Sequence, residues 1–188
     1  MKKIFLASKS PRRKKILTDA GINFEIINSS YDEQLDSHDF SYSKIETLAL
    51  NKALGAKEFV TNNSLIIGAD TVVILDNRIL TKPQNFDDAY NMLSALSDKT
   101  HNVVTSICVY DTQTNEYKLH STTTELEFNN LTDEMITNYI KNFKPYDKAG
   151  AYGIQELPEG FVKTIKGDLE NVIGLSSRAV KSILQQMS

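Results

Sequence analysis

The chain has 188 residues, 40% hydrophobic and 24% charged, enough to bury one substantial core at about the size of one domain. Its formal net charge of −3 and isoelectric point near 5.6 exclude a broad electrostatic footprint for duplex nucleic acid, so any phosphate site has to be local. The single cysteine, Cys108 within Ile107-Cys108-Val109-Tyr110, excludes an internal disulfide framework and reads as a small buried hydrophobe rather than a reactive thiol.

The opening Met1-Lys2-Lys3-Ile4-Phe5-Leu6-Ala7-Ser8 holds an apolar run far shorter than that of a secretory leader, and basic residues resume at Lys9. No other segment approaches the roughly 20 apolar residues of a membrane span, so a cytosolic location is expected.

Ile4 to Ala7 reads as a short buried strand. Ser10-Pro11 then supplies a cap and a first-turn proline for a helix to about Ala20, closed by Gly21. Phe24 to Asn28 is a second strand, followed by a polar loop around Tyr31-Asp32-Glu33. A helical pattern runs from about Ser43 to Phe59, with Ile45, Leu48, Ala49, Ala53 and Ala56 on its apolar face. The continuous apolar run Leu65-Ile66-Ile67-Gly68-Ala69 suits a strand covered on both faces, ending at Asp70. Val72 to Leu75 and Arg78 to Leu80 flank Asp76-Asn77 as a hairpin.

Phe86 to Leu96 has helical spacing, and His101 to Tyr110 with Tyr117 to Phe128 read as a half-exposed antiparallel pair around Thr112-Gln113-Thr114-Asn115. Leu131-Thr132-Asp133-Glu134 opens a helix to about Phe143, and Lys144 to Gly153 is expected to be an ordered loop. Phe161 to Ile165 is a strand and Ser176 to Gln186 a closing helix. This order predicts a mixed α/β domain with a parallel or mixed central sheet.

Lys9, Arg12 and Arg13 crowd a helix start, where the macrodipole favours anions by about 0.3–1 kcal/mol per charge. A bound anion would resolve the conflict: unpaired backbone N–H groups, the hydroxyls of Ser8 and Ser10 and two guanidinium forks suit phosphate oxygens. The plainer reading is a solvated helix end, but the turn follows a strand directly, and ligands of open α/β sheets gather at such ends. Asp70 emerges where an apolar strand stops, with Thr71 beside it and Lys82-Pro83 a short hairpin later. It either caps the following turn or takes a proton from water, or holds a divalent cation that bridges phosphate oxygens. In Asp147-Lys148-Ala149-Gly150-Ala151-Tyr152-Gly153-Ile154-Gln155, small residues let backbone approach a ligand while Lys148, Tyr152 and Gln155 supply polar and stacking groups. Glu33 and Lys52 carry little signal of their own, and His38, His101 and His120 lack zinc-ligand spacing to each other or to Cys108. No nucleophile elbow or Walker loop is present.

Taken together, Leu6-Ala7-Ser8-Lys9-Ser10-Pro11-Arg12-Arg13, Gly68-Ala69-Asp70-Thr71-Val72-Val73, Lys82-Pro83 and the 147–155 segment resemble the signature segments of the Maf family in order and interval. The resemblance implies an α/β fold over 1–188, with a mixed, largely parallel central sheet flanked by helices in a two-lobed single domain with a cleft, as in inosine triphosphatases. It implies hydrolysis of a nucleoside triphosphate to the monophosphate and pyrophosphate with a divalent metal, Mg²⁺ or Mn²⁺, and a homodimer as in many members. By the same match Asp70 is the general base or metal-organising carboxylate, with Glu33 as a second acidic group at metal or water. Ser8, Arg12 and Arg13 hold the phosphates, with Lys52 and Lys82 beside them. Arg13, Thr71 and Gln155 resemble the branch that prefers dTTP and UTP over the one acting on 7-methyl-GTP. Asp98, Ser106 and Ser176 depart from the usual glycine, threonine and proline, which bears on local turns and on the entry to the last helix. Two alternatives are weighed: a modified-nucleotide pyrophosphatase on the same fold, and a non-catalytic regulator of the division septum that docks a partner through Arg12-Arg13. No stable nucleic-acid or membrane partner is expected.

Overall fold

The computed structural model describes residues 2–32, 38–61 and 63–187. The chain opens with β1 (Lys3–Leu6), α1 (Pro11–Asp19) and β2 (Glu25–Ile26), a crossover that lays β2 parallel to β1. Ser10 caps α1 by accepting from the Arg13 amide at 3.4 Å, Pro11 presets the first turn, and Gly21, with φ of 71°, reverses the chain in the left-handed region. α2 (Tyr42–Leu54) buries Ile45, Leu48, Ala49 and Ala53, spaced for one helical face. It ends earlier than the pattern to Phe59 suggests, and a single 3-10 turn at Lys57–Phe59 follows. At this end the 29–31 segment crosses over Gly55, where a side-chain carbon would lie 2.6 Å from Ser29 Oγ and 2.8 Å from the Tyr31 amide, so the position requires glycine.

β3 (Ser64–Leu75) is one continuous twelve-residue strand, so Asp70 sits in its middle rather than at its end. The carboxylate does not end the strand because Thr71, Val72, Val73 and Ile74 keep β-forming residues paired with the next long strand. Asp76 and Asn77, with φ of 49° and 63°, form the tight hairpin to β4 (Arg78–Leu80). α3 (Phe86–Leu96) leads to β5 (Thr100–Asp111) and β6 (Tyr117–Phe128), then α4 (Asp133–Phe143), β7 (Val162–Lys166), α5 (Leu169–Ile173) and α6 (Ser177–Gln186). β5 is buried almost throughout, not half-exposed, because helices cover both of its faces. The short α5 was not legible as a helix, since five residues carry no usable period. At the departures from the family pattern, Asp98 takes φ of 55°, a conformation glycine adopts freely, and Ser176 caps α6 by accepting from the Ala179 amide.

Among the described residues the sheet runs β2-β1-β3-β5-β6-β7, with β4 also on β3. The mixed α/β class is as expected. Parallel pairing is confined to β2-β1-β3, where helical crossovers join the strands, and the remaining pairings are antiparallel. One edge of β3 is interrupted. β1 pairs with it only as far as Ile67 and β4 begins at Val73, so residues 68–72 have no strand neighbour there, whereas β5 follows the other edge without a break.

Alternation sends Gly68, Asp70 and Val72 towards α2, and Ala69, Thr71 and Val73 towards the opposite face. Cys108, opposite Gly68 in the register, is fully buried against Ala49 and Ala53, and burial pushes its thiol up to about 12. α2 lies against the backbone of β3, for a carbon added at Gly68 would stand 2.2 Å from the Ala49 carbonyl oxygen. Gly68→Ala must therefore push the whole helix outwards, and we expect a loss of about 2–3 kcal/mol of stability in urea unfolding, with activity lost as Lys52 leaves its place. Unchanged unfolding would show that α2 does not rest on this contact.

Candidate active site

The interrupted edge of β3 opens a cleft of about 620 Å³. Its walls are the 7–13 turn and the start of α1, the end of α2 with residues 27–31, and the 147–156 loop, and the turn after α5 closes one end. Asp70, 4% exposed, projects from the cleft floor and is ion-paired with Lys52 from the last turn of α2. Lys82, exposed just beyond β4, lines the same cleft.

At the start of α1, Ser8 Oγ accepts from the Ser10 amide at 3.2 Å, which shapes the turn that carries the two guanidiniums. Arg13 Nε donates to the Gly174 carbonyl at 2.9 Å, one terminal nitrogen donates to Thr71 Oγ1 at 3.0 Å and the other to Ser8 Oγ at 3.4 Å. Arg13 thereby ties three segments distant in sequence to one corner. Its guanidinium also faces the C-terminal carbonyl end of α5, where Gly174 turns the chain with φ of 139°.

Arg12 donates to Asp147 Oδ2 at 3.3 Å, bridging the cleft mouth. Lys148, only 8% exposed, donates to Asp147 Oδ1 at 2.8 Å and lies 3.2 Å from Glu156 Oε2. Partial burial works against the Asp147 carboxylate, yet Lys148 and Arg12 together hold its carboxyl below the usual range. Two glycines allow this loop its shape. Gly150, with φ of 66°, packs directly on Val73 and its amide donates to the Thr81 carbonyl at 3.1 Å, while Gly153 leaves room for the Lys148 stem beneath it. Tyr152 lines the cleft, but most of its ring is held by the core. It is 5% exposed, its ring meets Phe128 edge-on at 5.0 Å, and its hydroxyl bonds His101 Nε2 at 2.8 Å. Large aromatics are drawn into the core unless something holds them out.

A family model described as Maf-like protein matches residues 3–187. The chain belongs to the Maf-like protein family. A dTTP/UTP pyrophosphatase of Clostridium botulinum is 39% identical over 185 residues, covering 98% of both chains. One of Alkaliphilus metalliredigens is 43% identical over 175 residues, covering 93% of this chain and 91% of its own. The fold is shared with the Ham1 protein of Staphylococcus aureus, with a TM-score of 0.55 at 13% identity over the full length of both chains. It is also shared with a nucleoside-triphosphatase of Mycobacterium abscessus, with a TM-score of 0.51 at 12% identity over 98% of this chain and 94% of the other.

In this Maf-like chain Ser8, Arg12, Arg13, Lys52, Asp70, Thr71, Lys82 and Gln155 all line the one cleft. Glu33, the other acidic group expected at metal or water, lies outside the described residues. Asp147 and Glu156, with the Gly174 carbonyl, were not singled out from the sequence. An acidic residue flanking a lysine gives no sign of whether the pair faces solvent or a cleft, and a backbone acceptor has no side-chain signature at all.

The His101–Tyr152 bond anchors the 147–156 loop from inside the core. Burial lowers His101 from 6.5 to about 4, so between those values the unfolded chain binds a proton that the folded chain refuses. Stability from this group is complete above pH 6.5 and falls as the pH drops towards 4, by about 3 kcal/mol in all. Urea titrations from pH 7 to 4.5 should show a shallower decline for His101→Gln than for the wild type. Parallel curves would mean that other groups carry the dependence.

Proposed function

We propose that this protein hydrolyses a nucleoside triphosphate, UTP and dTTP foremost, to the nucleoside monophosphate and pyrophosphate. The observation that carries the reading is the meeting, in one cleft, of a buried carboxylate with cations from four separate segments: Arg12 and Arg13, Lys52, Lys82 and Lys148. The activity named for relatives about 40% identical over nearly the whole chain points the same way. Charge balance requires several partners, because two unit charges about 4 Å apart contribute on the order of 4 kcal/mol at an effective dielectric near 20. One lysine does not offset a triphosphate, whereas Arg12, Arg13 and Lys82 arranged around it do.

In the reaction a water oxygen attacks the α-phosphorus in line with the bond to the β-phosphate oxygen, that bond breaks, and pyrophosphate leaves. Asp70 orients the water and takes its proton, with Lys52 fixing the carboxylate in place. The start of α1 and its two arginines hold phosphate oxygens, and Lys82 neutralises charge that builds on the leaving group.

The donor set fits a hard divalent cation, Mg²⁺ or Mn²⁺. Among the described residues no group of three or more His, Cys, Asp or Glu side chains forms a metal cage, and such ions commonly bind through one or two carboxylates with substrate phosphates and water. Asp70, with Glu33, would hold it, and when bound it supplies charge neutralisation across the phosphates. Among the described residues no helix is long and apolar enough to cross a membrane, consistent with our reading of a cytosolic enzyme acting on a free nucleotide pool. We read a homodimer as its working form on family grounds.

Asp70→Asn should lower kcat for UTP and dTTP by about 10²–10⁴-fold, while leaving their binding much less affected. Pyrophosphate release with Mg²⁺ or Mn²⁺, measured on UTP, dTTP, CTP, GTP and 7-methyl-GTP, tests reaction and base preference together. Wild-type turnover in Asp70→Asn would remove this residue from its assigned role, and a preference for 7-methyl-GTP would overturn the pyrimidine assignment.

A further inference from the structure

Behind the Arg13 corner stands a hydroxyl that the cleft does not expose. Thr105 is fully buried on β5, directly opposite Thr71 in the β3 register, and the two hydroxyl oxygens are 2.9 Å apart. Thr105 Oγ1 also donates to the Asn171 carbonyl at 3.0 Å. A hydroxyl has one proton. That of Thr105 is spent on Asn171, so Thr105 can only accept from Thr71. Thr71 has one proton to give to either Thr105 or the Gly174 carbonyl, 3.2 Å away, and presents lone pairs to Arg13, whose terminal nitrogen lies 3.0 Å away. The Thr105 hydroxyl therefore links Thr71, and the Arg13 guanidinium beside it, to the backbone of α5.

The far end is fixed as firmly. The Asn171 side-chain amide, fully buried, donates at 3.0 Å both to the Val103 carbonyl on β5 and to Thr124 Oγ1 on β6. Thr124 in turn donates to the Asp168 carbonyl at 2.9 Å, just ahead of α5. The short helix is thus stitched to two strands. The Gly174 carbonyl that follows it is held where Arg13 Nε meets it.

This corner has apolar neighbours in the cleft. Thr71 and Val73 on β3, with Val103 and Thr105 on β5, share the sheet face away from Asp70 and Lys52, and Val172 and Ile173 border the cleft beside them. A nucleotide has one polyanionic end and one planar, weakly polar end, and the second suits valine and isoleucine walls with a few directed polar groups. We infer that Thr105 is a positioning residue for nucleobase selection: untouched by substrate, it sets the orientation of Thr71, and through Asn171 the seat of the α5 turn. This inference rests on the nucleotide reading above.

Without the Thr105 hydroxyl, Thr71 retains the Gly174 carbonyl, 3.2 Å away, as an acceptor, and its hydroxyl loses the partner that holds it towards β5. Recognition by directed donors and acceptors is lost more readily than apolar contact when a buried polar group is left misaligned.

The test measures kcat/KM for UTP, dTTP, CTP, GTP and 7-methyl-GTP in the wild type, Thr105→Val and Thr105→Ser, with thermal unfolding of each. Thr105→Val should shrink the ratio between the preferred nucleotide and GTP by about tenfold, chiefly through KM, and Thr105→Ser should restore it. If Thr105→Val does not fold, Thr105→Ala is judged by the same ratio. A uniform fall across all five nucleotides, an unaltered ratio, or a folded Thr105→Ser that behaves like valine would overturn the positioning role while leaving the enzymatic reading intact. A wild type that releases pyrophosphate from none of them would end both.

Discussion

Everything the cleft does depends on a break in the pairing of one strand edge. β3 is paired with β5 from Leu65 to Ile74 on one side, yet over residues 68–72 the other side meets neither β1 nor β4. Five residues of unbroken strand backbone are an unusually rigid place from which to project a carboxylate. Asp70 gains its fixed position from the sheet and its access to substrate from the missing neighbour. Had β1 continued two or three residues further, its backbone would fill the space into which phosphates are to fit.

The two faces of β3 divide the labour. The α2 face carries charge, with Asp70 against Lys52, and a helix can come near enough to form that pair only because Gly68 has no side chain. On the other face Thr71 engages Arg13, Thr105 and the Gly174 carbonyl. Burying an ion pair is costly unless it is well matched, and a protein concerned with stability alone has little reason to keep one. At the cleft mouth, Asp147 lies between Arg12 and Lys148, so two of the groups that would meet a triphosphate are already occupied by a carboxylate of the chain itself.

Much of this was legible in the residues. Serine before proline marked the start of α1, Asp76-Asn77 the hairpin, and apolar spacing the faces of α2 and α3. Eight expected site residues line a single cleft because strand ends and helix starts are where an α/β sheet can gather polar groups. What stayed hidden depends on tertiary contact. Asp70 read as a strand terminus because a carboxylate inside an apolar run has no local excuse, and its partner Lys52 lies eighteen residues away. Tyr152 read as a ligand-stacking ring because nothing nearby in sequence announces His101 and Phe128 as its neighbours. α5 escaped notice for its brevity, and Thr105 and Asn171 because polar residues inside a core are recognisable only by their partners.

The buried thiol of Cys108 gives the molecule an unplanned reporter. It sits beneath α2, opposite Gly68, and its neighbours Ala49 and Ala53 belong to the helix that brings Lys52 to Asp70. An alkylating reagent cannot reach that sulfur while the helix is seated. The rate at which the cysteine becomes labelled would therefore time how often the helix lifts from the sheet, and every such excursion is also a moment when the central carboxylate stands without its lysine.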